Sequence, residues 1–196
     1  MKKLRVVASL FFICLTANSY LRAKIAIGSQ RSFPDPPTDL TRVYYLSPER
    51  QLRPLPFEAG SLSLNVFAPA VADKVMRVQL TGAKSETVLA GDNLKFYVFV
   101  GEKMDPPPHQ LVRLAGTKSQ RELKISVIKG RKGYAPFAAD TIRLEHRVLE
   151  RLRVSAGPGR FIFVNYMQLT PINPLTAGEY AIIGDSLADM ATFRVK

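Results

Sequence analysis

The chain has 196 residues, with 28 Lys and Arg against 16 Asp and Glu, for a formal charge of +12. Its 46% hydrophobic content, 14 prolines and 12 glycines are those of an ordinary globular domain rich in turns. The single cysteine, Cys14, lies in the first segment, so a disulfide framework and a cysteine-ligated metal are excluded from the rest.

Lys2, Lys3 and Arg5 precede an apolar stretch from Val6 to Ala17, which ends in Ala17-Asn18-Ser19. That order reads as a secretory signal peptide over residues 1–19, cleaved before Tyr20. Its apolar run is short against the roughly 20 residues a helical bilayer span requires. Ile13 before Cys14 is too bulky for a lipid-attachment site. The expected address is therefore exported, periplasmic or extracellular. The mature chain would have no thiol and must be held by its core alone. Residues 20–41, with Pro34, Pro36 and Pro37, read as an extended tether.

The domain is expected over 42–196. Val43–Leu46 and Leu52–Leu55 flank a turn and suggest a hairpin, whose second arm carries Pro54 and so belongs at a sheet edge. Leu62, Leu64 and Val66 alternate with polar residues, as do Met76, Val78 and Leu80. Leu94 to Val100 is apolar on nearly both faces and reads as a central strand. Gln110 to Ala115 suggests one helical turn. Leu123, Ile125 and Val127 alternate again, and Ile142, Leu144, His146 and Val148 share a parity opposite Arg143, Glu145 and Arg147. Phe161–Tyr166, Tyr180–Ile183 and Thr192–Val195 complete about nine strands. Phe96, Phe99, Phe161, Phe163 and Tyr166 are expected in the core. One of Tyr44 and Tyr45, on opposite faces, is expected to be exposed or to lie on an interface. The fold class is all-β, an antiparallel immunoglobulin-like sandwich.

Leu175-Thr-Ala-Gly178-Glu-Tyr180-Ala-Ile182 has the form of a tyrosine corner, built on Leu175, Gly178 and Tyr180. With Val43-Tyr-Tyr-Leu46, Met104-Asp-Pro106 and Arg121-Glu122, this tail resembles a loose group of uncharacterised exported bacterial proteins. The resemblance implies no activity and no catalytic residue.

Charge is the one functional bias. Residues 111–160 hold 12 basic and 4 acidic side chains. Lys118, Arg121 and Lys124 lead into Lys129, Arg131 and Lys132, with Arg143, Arg147, Arg151 and Arg153 following. A positive surface would form if these strands are neighbours, and Lys129, Arg131, Lys132, Arg143 and Arg147 are the candidate anion-binding residues. The partner expected is an envelope protein or anionic envelope polymer, with nucleic acid disfavoured by export. Catalytic residues, metal ligands and cofactors are not indicated. His109 reads as an exposed loop residue and His146 as a core-edge residue. Asp185 and Asp189 belong to a turn. The chain reads as a non-enzymatic binding or structural module. The competing classes are a hydrolase without a recognisable motif and an assembly component that exchanges a strand.

Overall fold

The computed structural model describes residues 32–64, 75–104, 108–127, 134–184, 187 and 189–196. The expected signal peptide, and the segment holding Lys129, Arg131 and Lys132, lie outside them. The chain divides into two units, Met1–Asp35 and Pro36–Lys196. The described part of the first, residues 32–35, holds neither helix nor strand. Every strand of the described residues lies in the second.

Those strands are β1 (Tyr44–Leu46), β2 (Leu52–Pro54), β3 (Phe57–Glu58), β4 (Ser61–Leu64) and β5 (Val75–Thr81). There follow β6 (Val88–Leu89), β7 (Phe96–Gly101), β8 (Gln110–Gly116), β9 (Gln120–Val127) and β10 (Tyr134–Pro136). A short 3-10 turn (Ala138–Asp140) precedes β11 (Thr141–Ile142), β12 (Leu144–Gly157), β13 (Arg160–Pro171), β14 (Gly178–Ile183) and β15 (Met190–Val195). The fold is thus all-β, with fifteen strands among the described residues where the sequence suggests about nine. The added ones are mostly two- or three-residue pieces whose pairing is distant in sequence.

One sheet has the order β12-β13-β7-β1-β2, all antiparallel. The β1–β2 hairpin closes as its sequence suggests. Arg50 takes φ 59° and the Ser47 N–H donates to the Gln51 carbonyl at 2.9 Å. β2 lies at the edge, where Pro54 costs no ladder bond. β7 is central, with Phe96, Val98 and Val100 facing the main core. On the opposite face Tyr97 and Phe99 contact Tyr166, and Tyr44 meets Phe99 edge-on at 6.4 Å. Tyr44 is buried and Tyr45 half-buried against the core, so neither ring is exposed. Burial pushes the Tyr97 phenol above its ordinary pKa.

The second sheet runs β3-β15-β14-β8-β9-β5-β4, with β6, β10 and β11 added at its sides. Gln110–Gly116 is strand β8 and forms no helical turn. Its Leu111, Val112 and Leu114 look helical in spacing because both faces of the strand are buried. β8 and β9 pair only at Ala115↔Glu122 and Gly116↔Arg121 before diverging, and there the sheet curls into a half-barrel. One face of β8 and β14 gives Leu111, Tyr180 and Ile182 to the main core. The other gives Val112, Leu114, Ala181 and Ile183 to a second core with Val78, Leu80, Leu123 and Ile125 from β5 and β9. Each buried Val, Leu or Ile among them contributes about 1.5–3 kcal/mol.

Arg121 closes this curl. Only 1% of its surface is exposed, so it leaves the basic surface to which the charge pattern assigned it. Its Nε donates to the Gly82 carbonyl and Nη2 to the Thr81 carbonyl, both at 3.0 Å. The guanidinium also forks onto Glu58, with Nη1 3.1 Å from Oε1 and Nη2 on Oε2. Glu179 lies 3.9 Å from Nη1 and accepts the Ser85 backbone N–H at 2.8 Å, while the Thr192 hydroxyl donates to Glu58.

Tyr180 Oη donates to the Thr176 carbonyl at 2.6 Å, the contact that defines a tyrosine corner, and its ring stacks on Phe193. Leu175 is buried, and its N–H donates to the Gly91 carbonyl. A Cβ at Gly91 would lie 2.3 Å from the Leu175 carbonyl oxygen, so only glycine permits this approach. A Cβ at Gly178 would lie 3.3 Å from the Arg113 guanidinium, so a side chain there would force it to shift.

Truncating Arg121 to Ala strands two carboxylates and two carbonyls, and should lower stability by about 3–5 kcal/mol in urea denaturation. Tyr180→Phe removes one hydrogen bond and should cost about 1 kcal/mol in the same measurement.

Candidate interaction surface

β12 and β13 are the longest strands, at 14 and 12 residues. β7 supports β13 only from Val164 to Leu169, so the distal hairpin continues as a two-stranded ribbon. The row of β13 that places Met167 and Leu169 in the core continues outward as Asn165, Phe163 and Phe161. Phe161 and Phe163 are 50% and 41% exposed, against the expectation that they are core. Their parity is that of core residues, but they belong to neither core cluster. Phe96 and Tyr166 are buried as expected, and Phe99 is half-buried.

The register of β12 shifts between Val148 and Glu150. Val148 pairs with Met167, whereas Glu150 pairs with Tyr166, so Leu149 is the extra residue of a bulge. This reverses the parity of everything beyond it. Arg147, opposite Gln168, lies on the face of Tyr97 and Tyr166. Arg151 and Arg153 lie on the other face, in the row of His146 and Val148. The arginines expected on one face are thus divided between two.

Arg151 and Arg153 stack on the exposed rings: the Arg151 guanidinium carbon is 4.0 Å above Phe163, and that of Arg153 is 3.6 Å above Phe161. Each such contact is worth about 0.5–1 kcal/mol in water. Arg151 also pairs with Glu102 at 2.6 Å. Residues 151–165 include Arg151, Arg153 and Arg160 and no acidic side chain. Lys118 and Lys124 lie on the turn after β8 and on β9, in the other sheet.

At the base of this row is a cleft of about 230 Å³. His109, before β8, and His146, on β12, both line it, with the exposed Arg143 between β11 and β12. His109 is half-buried and His146 exposed, the reverse of the expected order. Their distance along the chain hid this convergence; β11 pairing with β8 brings them together.

A second cleft, of about 380 Å³, is lined by Glu58, Glu86, Lys84 and Arg121. Carboxylates beside a basic residue are what a hydrolase reading requires. Both oxygens of Glu58 are held by Arg121, however, and one also by Thr192, so its role is to anchor the curl. Among the described residues no three His, Cys, Asp or Glu side chains converge as a metal site requires. Asp185 lies outside them, and Asp189 is exposed in a bend. No helix among them is long and apolar enough to cross a membrane. No family model, curated protein or solved structure matches the chain.

Because Phe161 and Phe163 stand outside both cores, changing both to Ala should lower stability by under about 1.5 kcal/mol, whereas Phe193→Ala should cost about 3–5 kcal/mol. Guanidinium denaturation of the two variants beside the wild type measures the difference.

Proposed function

We propose that the chain is an exported, non-enzymatic binding or structural module of the bacterial cell envelope, immunoglobulin-like in the broad sense, which contacts an anionic polymer. The contact element in this reading is the distal β12–β13 hairpin together with the row from His146 to Phe161. The observation that carries it is the pair of stacked guanidinium–phenyl contacts on an exposed ribbon without acidic side chains beyond Glu150.

A lone two-stranded ribbon is marginally stable in water, and exposing two phenylalanines on it costs solubility. Their retention under arginines suits a surface that meets a partner offering both charge and apolar rings or chains. An extended polymer fits a row about 30 Å long, from His146 to Ser155 at ~3.3 Å per residue. Strand exchange is less well supported. β12 is a long edge, but it carries two register shifts and exposed Arg147, Arg151 and Arg153, features that discourage strand addition.

Reversing Arg151 and Arg153 to Glu should shift elution from an immobilised anionic polysaccharide to markedly lower salt. Lys118→Glu with Lys124→Glu makes the same change in net charge on the other sheet and should shift it far less. Equal shifts would reduce the effect to net charge and remove the hairpin from the reading.

A further inference from the structure

We propose that the face of the distal β12–β13 ribbon opposite the stacked arginines docks on the surface of an anionic lipid bilayer. This contact is separate from the polymer reading, since it uses the other face of the ribbon.

Alternation along β13 sets the face. Tyr166, Val164, Ile162 and Arg160 share one side of the strand, and the register of β12 places Glu150, Leu152 and Val154 opposite the first three. Ile162 is 51% exposed, and Leu152, Val154 and Val164 are half-buried, yet none of the four belongs to either core. β7 pairs with β13 only as far as Val164, so Val154 and Ile162 lie beyond it. The apolar exposure gathers at this end of the molecule. Of the eight large apolar side chains exposed among the described residues, Val148, Phe161, Ile162 and Phe163 are on the hairpin. Met104 is a fifth, in the turn after β7 whose Glu102 N–H donates to the Phe163 carbonyl at 3.2 Å.

Area and charge name the occupant. Two strands by about four residues cover roughly 150 Å². That is far below the ~800 Å² each partner gives to a stable protein interface, so a second copy or a folded protein would be poorly held. A bilayer sets no such minimum, because each apolar side chain that enters the head-group region contributes by itself. Exposed Arg160 ends the face at the tip, and exposed Arg147, opposite Gln168, ends it at the base. Their stems can lie along apolar surface while the guanidinium forks reach lipid phosphates. Glu150, on the same face, is half-buried and already engaged. β12 is a sheet edge, and its outward N–H and C=O groups need water. The ribbon therefore rests about 5–10 Å into the head-group boundary and does not span.

The chain contains no tryptophan, so Ile162→Trp supplies a single indole at an exposed position outside both cores. The full chain carrying it is titrated with vesicles of phosphatidylglycerol and phosphatidylcholine, and with vesicles of phosphatidylcholine alone. A local readout is required because an apolar run such as Val6–Ala17 also binds vesicles. A blue shift of the emission is expected with the anionic vesicles. Bromine near the head-group end of the acyl chains should quench it more than bromine at their far end. Val88→Trp, an exposed position on β6 beside the other sheet, should show no shift. Adding Arg160→Gln to Ile162→Trp should raise the half-saturating lipid concentration about fivefold, the effect of one cation at an anionic surface. Bilayer docking is overturned if Ile162→Trp gives no blue shift, if Val88→Trp shifts equally, or if neutral vesicles act as well as anionic ones. It is overturned too if Arg160→Gln leaves the titration unchanged. An emission that shifts with protein concentration in the absence of lipid also overturns it, and assigns the face to a second copy of the chain.

Discussion

Arg121 holds the second sheet in its curled form, and much of the molecule is arranged around that curl. A sheet that bends back over its own face brings unrelated strand ends together. Here the end of β5, the start of β9 and the short β3 meet at one guanidinium. Its five N–H groups suit such a junction because they can serve two carbonyls and a carboxylate in one plane. Lysine could not reproduce the fork. Desolvating the charge is expensive, and the cost is offset only because Glu58 and Glu179 flank it and are themselves hydrogen-bonded to Thr192 and Ser85. The Ser85 and Thr192 hydroxyls lie 3.1 Å apart, so the network runs on from the half-barrel into β15.

The curl allows a domain without disulfides to bury two cores on one pair of strands. β8 and β14 present Leu111, Tyr180 and Ile182 to one side and Val112, Leu114, Ala181 and Ile183 to the other. Tyr180 therefore sits at the centre of the fold. Its hydroxyl ties the entry of β14 to Thr176, and its ring stacks on Phe193 of β15.

Features set by neighbouring residues were legible in the sequence. The β1–β2 hairpin, the edge position of Pro54, the central place of Leu94–Val100 and the alternation of β5 and β9 follow from local patterns. What escaped depends on where a distant layer stops. Phe161 and Phe163 occupy the same row as Met167 and Leu169, and nothing local distinguishes the four. Only the extent of the opposing sheet makes two of them core and two surface. Charge alone groups Arg121 with Lys118 and Lys124, because it says nothing of a carboxylate 63 residues away. Gln110–Ala115 misled for a related reason: a strand buried on both faces loses the alternation that identifies it.

The bulge at Leu149 carries the remaining step. With regular pairing, Arg147, Arg151 and Arg153 would share one face, opposite the phenylalanines and His146. The inserted residue moves Arg151 and Arg153 across to the row of Phe161 and Phe163, where each guanidinium finds a ring. The same insertion makes that row continuous with His146 and the cleft beneath it. Bulges re-aim side chains and also discourage edge pairing. Here one bulge does both, keeping the long edge of β12 from acting as a template while gathering its cations onto one side. The composition of the surface follows from the residues, and its assembly onto one face follows from a single interruption of register.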